Sequence, residues 1–213
     1  MTRIAIIVGS TRPRRRAALV AGWVHEVAQR HTDDTGTEAT FEVVDLADFD
    51  LPLLDEPVPA AIGDYANAHT HRWSATIASY DGFVFVLPEY NHSIPAALKN
   101  AIDFLFAEWN DKAAGFVGYG LTGGANAVGA LRLVMAEVKT ACVRSQVGLT
   151  LSTDFDVTDM TQPGACTPGD RQEQLLTRML DEVVAWAGAL RPLRTAPETA
   201  EAAETAGAEG AAV

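Results

Sequence analysis

Three short stretches carry the side chains that could do chemistry, and their residues suit holding a ligand better than attacking one. The first is Gly9-Ser10-Thr11-Arg12-Pro13-Arg14-Arg15-Arg16. A glycine for a tight turn, two hydroxyls and a cluster of cations are the equipment for a phosphate at a helix N-terminus. The competing reading makes Gly9 to Thr11 a plain helix cap and the arginines a solvated face. The second stretch is Pro88-Glu89-Tyr90-Asn91-His92-Ser93, a polar break between two apolar segments. The third is Gly118-Tyr119-Gly120-Leu121-Thr122-Gly123-Gly124.

Other chemistries fit the spacing poorly. His92, Ser93 and Asp103 contain the residue types of a nucleophilic triad, but neighbours on one turn cannot easily serve each other as nucleophile and base. His69 and His71 lie two apart on an expected helix and so face different ways, which argues against a shared metal. The first loop lacks the Gly-Lys-Ser/Thr ending of a Walker A loop. Gly118 to Gly123 matches G-x-G-x-x-G, yet that fingerprint belongs after the first strand, with an acid about 20 residues on at the end of the next. Here Glu137 falls mid-helix, while Asp45, which does end a strand, follows a loop without the glycines. A dinucleotide-binding Rossmann unit is therefore rejected.

The elements that must position these loops alternate strand and helix. Ile4 to Val8 and Phe83 to Leu87 are unbroken apolar runs, the pattern of strands buried on both faces. Thr40 to Leu46, Ala114 to Tyr119 and Val147 to Ser152 complete five expected strands. Helices are expected over Ala17–Arg30, Ile62–Tyr80, Ile94 or Pro95 to about Glu108, Ala125–Cys142 and Asp170–Leu190. Ser93 is the expected N-cap of the third, with Pro95 in its first turn. This order calls for a flavodoxin-like three-layer sandwich, a five-stranded parallel sheet in order 2-1-3-4-5 with helices on both faces and right-handed crossovers. Strands 1, 3 and 4 are then contiguous, and the three loops converge at the carboxyl edge, where open α/β sheets bind ligands.

The 213-residue length suits one domain, expected over residues 1–193. From Arg194 to Val213 the composition turns to Ala, Glu, Thr, Pro and Gly, and a disordered tail is expected. No run approaches the roughly 18 apolar residues of a membrane helix, and the N-terminus lacks a signal-peptide core, so the expected location is cytoplasmic. The net charge of −12 argues against a general nucleic-acid or anionic-membrane binder. Cys142 and Cys166 form no disulfide framework or metal spacing.

Pro88-Glu89-Tyr90-Asn91, followed by Ser93-Ile94-Pro95 and Leu98-Lys99-Asn100-Ala101-Ile102-Asp103, resembles the signature of the NAD(P)H-dependent FMN reductases. These are flavodoxin-like flavoenzymes that act on quinones, azo dyes, chromate or free flavin. The resemblance implies non-covalent FMN, with NAD(P)H as co-substrate and NADPH favoured by the spare arginines. It gives the FMN phosphate to Ser10 and Arg12, with Arg16 as a further contact. Arg14 to Arg16 keep a second open role at the phosphates of NAD(P)H. Pro88, Glu89, Tyr90, Asn91 and His92 would lie along the flavin ring, with Asn91 the leading side chain; relatives often carry Gly where His92 stands. Gly120, Gly123 and Gly124 would let backbone approach the ring. No catalytic side chain is required, because hydride would pass from NAD(P)H through FMN N5 to a small acceptor in a ping-pong cycle. A homodimer or homotetramer is implied, and the cluster of Phe104, Phe106 and Trp109 is either core or subunit contact. The rival readings are a flavodoxin-like electron carrier that does not oxidise NAD(P)H and a flavin-free binder of another phosphorylated metabolite.

Overall fold

The computed structural model describes residues 1–195. The five long strands are β1 Thr2–Val8, β2 Ala39–Asp45, β3 Gly82–Pro88, β4 Ala113–Gly120 and β5 Ala141–Thr150. They pair in parallel in the order β2-β1-β3-β4-β5. The helices are α1 Ala17–Thr35, α2 Ala68–Ala78, α3 Ala96–Asp103, α4 Ala125–Glu137 and α5 Asp170–Thr195. Between β5 and α5 lies a small antiparallel ribbon, β6 Phe155–Asp156 with β7 Ala165–Cys166.

The central strands are apolar at every position because both faces are covered. Alternate side chains divide between two cores, as the period of two requires. Ile4, Ile6, Val84, Val86 and Val117 pack with α1 and α5 on one face. Ala5, Ile7, Phe83, Phe85, Leu87 and Phe116 pack with α2, α3 and α4 on the other. Phe104 and Trp109 are fully buried in this second core, so neither is a subunit contact.

Several element boundaries differ from expectation, each for a local reason. The expected helix over 62–80 is shorter: Gly63 turns left-handed at φ +76, and α2 starts only at Ala68. Glu56 fixes the chain just ahead of it, accepting from the N–H groups of Ala66 and Asn67 at 2.7 and 3.0 Å. α3 stops at Asp103, and two buried indoles take its final carbonyls. Trp73 donates to Ala101 at 2.7 Å and Trp109 to Ile102 at 3.2 Å. α4 ends at Glu137, Lys139 turns left-handed, and β5 begins six residues before the expected Val147. β5 is an edge strand, and its Arg144-Ser145-Gln146 break the apolar pattern that marks the inner strands.

Ser93 is not the cap of α3; the N-cap position is Pro95, with no side-chain bond. Ser93 instead pairs its backbone with Tyr90. α5 runs past Leu190 to Thr195, carrying Arg191 and Arg194 onto Asp81 at 3.0 and 2.6 Å. Arg194 therefore belongs to the folded unit, and the remainder of the expected tail lies outside the described residues.

Candidate functional site

The loops after β1, β3 and β4 meet at one edge, and each is shaped by backbone before side chains. Gly9 donates to Val86 O at 2.8 Å, continuing the β1–β3 pairing. A Cβ there would meet Val86 O and Leu98 at 3.0 Å. The chain then runs to α1, whose N-terminus has no side-chain cap and no acid in its first turn. The Ala17 N–H is taken by the Tyr119 phenol oxygen, and no side chain caps the rest of the first turn.

The four arginines of this loop divide into two pairs. Arg15 is ion-paired with Asp45 at the end of β2, and Asp45 also accepts from Ala47 N at 3.0 Å. Arg16 is buried and donates Nε to Pro163 O at 2.9 Å and Nη2 to Gln162 O at 3.1 Å. It therefore ties the long excursion after β5 to the first loop. Arg12 and Arg14 are exposed, and among the described residues their side chains make no hydrogen bond or ion pair.

The second loop is a tight turn. Tyr90 and Ser93 exchange N–H···O bonds of 3.0 Å in both directions. Asn91 and His92 between them have φ of +50° and +63°, the two left-handed residues of a type I′ turn. That geometry favours Gly at the second position, which His92 holds in this chain. Tyr90 reaches back to the first loop, with its hydroxyl 3.1 Å from the buried Ser10 Oγ. Glu89 N–H is spent on Tyr119 O at 2.9 Å. The Glu89 and Tyr90 amides are thus committed within the protein, and the exposed amide side chain of Asn91 remains for a ligand.

The third loop differs most from expectation. Gly123 and Gly124 both have φ of +70°. A Cβ on Gly124 would lie 2.6 Å from Tyr119 N, and one on Gly123 would lie 3.3 Å from Gly148 Cα. These glycines let the loop pack backbone to backbone on β4 and β5, which is a different requirement from approach to a flavin. The N-terminus of α4 is already occupied by an anion of the protein's own. Glu89 Oε2 accepts from Asn126 N at 2.9 Å and from Ala127 N at 3.3 Å. These bonds, led by the Asn126 side chain, hold the Glu89 carboxyl below its ordinary pKa. The two helix starts therefore differ: α4 is capped by a carboxylate, and α1 has no side-chain cap.

Arg12, Arg16, Pro88, Glu89, Tyr90 and Gly120 line a single cleft of about 100 Å³, closed by Tyr119 and Leu151. Ser10 joins it through Tyr90; Asn91, His92, Gly123 and Gly124 do not line it. Sequence reasoning missed Tyr119, Leu151 and Asn126. The tyrosine between Gly118 and Gly120 was the available signal, since an aromatic between two strand-end glycines must face something. Burial pushes the Tyr119 phenol up, aided by Tyr90 and opposed by Arg12 and Arg16. The cleft is smaller than the roughly 300 Å³ that encloses a drug-sized ligand. It takes a fragment of a larger molecule, the rest of which would lie across the exposed Tyr90–His92 turn.

Residues 2–154 match the family model described as NADPH-dependent FMN reductase. The chain is 44% identical over 128 residues to the NAD(P)H-dependent FMN reductase ntnL of Nectria sp, covering 58% of this chain and 62% of that relative. It is 39% identical over 163 residues to the NAD(P)H-dependent FMN reductase C4B3.06c of Schizosaccharomyces pombe, covering 76% of this chain and 79% of that one. Among solved structures, the flavoenzyme NAD(P)H:(acceptor) oxidoreductase FerB of Paracoccus denitrificans superposes with a TM-score of 0.65 at 23% identity, over 89% of this chain and 98% of that one. At that identity the likeness shows the flavodoxin-like fold alone.

Proposed function

Since the chain belongs to the NADPH-dependent FMN reductase family, we propose that it passes reducing equivalents from NAD(P)H to a small acceptor such as a quinone by a ping-pong cycle. The observation that carries this reading is the N-terminus of α1, which no side chain caps, next to Arg12 in a cleft shared with Tyr90 and Gly120. Ser10, Arg12 and the first-turn N–H groups of α1 beyond Ala17 would hold the FMN phosphate, supplying hydroxyl, cation and amide donors. Arg16 would add the part of its fork not given to Gln162 and Pro163. Tyr90 and Gly120 would border the ring system, and Asn91 would offer its amide to the ring edge. When bound, FMN would supply the redox chemistry, hydride transfer between NAD(P)H and the acceptor, while Ser10, Arg12, Tyr90, Asn91 and Gly120 would hold and orient it.

The protein's share is to hold, orient and exclude water. No side chain at the cleft forms a nucleophile–base pair, which suits a reaction carried by the cofactor. The uncommitted Arg14 favours the more anionic NADPH over NADH. Among the described residues no helix is long and apolar enough to cross a membrane; together with the acidic charge this fits work on dissolved substrates in the cytoplasm. Leu53 and Ile62 are exposed at 85% and 69%. An apolar rim of this kind fits a homodimer or homotetramer, which light scattering would test.

The deciding experiment is the absorbance spectrum of the purified protein, followed by NADPH addition with and without a quinone. A yellow protein that bleaches with NADPH and is reoxidised by the quinone is expected. A yellow protein inert to NADPH would make it an electron carrier, and one that takes up no FMN would overturn the reading.

A further inference from the structure

The first loop separates two clefts. Arg12 lines the small one, and its neighbour Thr11 lines a second, of about 270 Å³, on the β2 side of the same loop. Consecutive Cα atoms are about 3.8 Å apart, so the two clefts share a wall one backbone wide. The second cleft combines apolar surface from Leu46, Leu51 and Ala101 with the Thr11 hydroxyl and the Asp50 carboxylate.

This cleft is preformed. Asn100 holds its outer wall, donating to Pro52 O at 2.7 Å and accepting from Leu54 N at 2.9 Å. On the other side Arg72 donates to Asp48 O and Phe49 O at 3.1 and 2.6 Å. Between these anchors Asp50 is held left-handed, at φ +48°. A non-glycine residue in that region persists only where its surroundings over-determine it, and such residues gather at ligand sites.

We infer that the second cleft seats the adenosine half of the nicotinamide dinucleotide, an inference that rests on the reductase reading above. The volume lies just below the roughly 300 Å³ needed to enclose a drug-sized ligand, which matches a nucleoside and not a whole dinucleotide. Leu51 offers apolar surface to one face of an adenine, and Asp50 and Thr11 can pair with its ring edge and amino group. The diphosphate linker would cross the loop between the clefts, where Arg12 is left to the FMN phosphate and Arg14 has no protein partner among the described residues. FMN, with one phosphate and one ring system, accounts for one cleft only.

Ala47 lines the second cleft and takes no part in the first, so Ala47→Trp tests the assignment in the FMN-loaded protein. Turnover would be measured with NADPH and with reduced nicotinamide mononucleotide, which lacks the adenosine half, against one quinone. The expected result is a KM for NADPH raised about tenfold or more, the equivalent of about 1.4 kcal/mol. Turnover with the mononucleotide and FMN affinity should stay unchanged. An unaltered KM for NADPH, an equal loss with both reductants, or weakened FMN binding would each overturn the inference while leaving the reductase reading intact. Should the variant fold poorly, inhibition of the unmodified protein decides. Adenosine 2′,5′-diphosphate should compete with NADPH and spare the mononucleotide; inhibition of both or of neither overturns the assignment. A yellow protein that oxidises neither reductant would remove both readings together.

Discussion

Glu89 and Asn126 close the gap between the second and third loops with paired bonds: one carboxylate oxygen takes the Asn126 side-chain amide and the other its backbone N–H, each at 2.9 Å. His92 Nδ1 lies 3.0 Å from the same amide nitrogen. Residues from two loops far apart in sequence are thereby fixed as one wall of the candidate site.

Glu89→Ala should cost roughly 1 kcal/mol through loss of the α4 cap, read as a lower denaturant midpoint with unchanged slope. Because the folded-state pKa of Glu89 is depressed, its stabilisation is fully present above the unfolded value of about 4.3 and fades as pH falls through the folded value. Glu89→Gln should therefore flatten the acid side of the stability profile. An unchanged profile would show that the carboxylate is not the cap.

Arg12→Ala should weaken FMN binding about 10- to 150-fold, the equivalent of the 1.5–3 kcal/mol of a charged hydrogen bond, and leave apo-protein melting unchanged. Arg16→Ala should instead loosen the excursion after β5, because its guanidinium holds Gln162 and Pro163. Flavin fluorescence titration and amide exchange over residues 155–166 separate the two effects. Exchange unaffected by the loss of Arg16 would contradict the tie.

Two glycines of one loop–helix unit should respond in opposite directions to alanine. Gly124→Ala forces a left-handed alanine, which alone costs about 1–2 kcal/mol, and drives its Cβ onto the β4 backbone. Gly129 lies within α4 with no atom within 4 Å of its Cβ position. There alanine should stabilise by up to about 1 kcal/mol through helix propensity. Thermal melts of the pair would suffice, and a tolerated Gly124→Ala would refute the packing argument.

Lys112 is buried at the amino edge of the sheet, donating to Ile77 O at 2.8 Å. Burial lowers its pKa to about 7. The unfolded chain then binds more protons between about pH 7 and 10.4, so this lysine makes stability rise with pH across that window, by at most about 1.4 kcal/mol per unit. Below pH 7 its burial penalty is fully present. Lys112→Met should remove that slope in chemical denaturation; an unaltered slope would mean the ammonium is satisfied where it sits.

The five strands, their order and the three loops were legible in the sequence because local pattern decides them. Unbroken apolar runs such as Phe83–Leu87 occur where helices cover both faces of a parallel sheet, and Gly, Pro and polar residues mark where such runs end. What the sequence could not decide was the partner each polar side chain finds. Arg15 and Arg16 look like Arg12 and Arg14 until folding delivers Asp45 to one and the carbonyls of residues 162 and 163 to the other. Nothing along the chain shows that Glu89 also caps α4, or that Gly123 and Gly124 pack against the backbone of β4 and β5. Periodicity is a property of neighbours along the chain, whereas hydrogen bonds and close packing join residues tens to hundreds of positions apart, so those assignments belong to the tertiary structure alone.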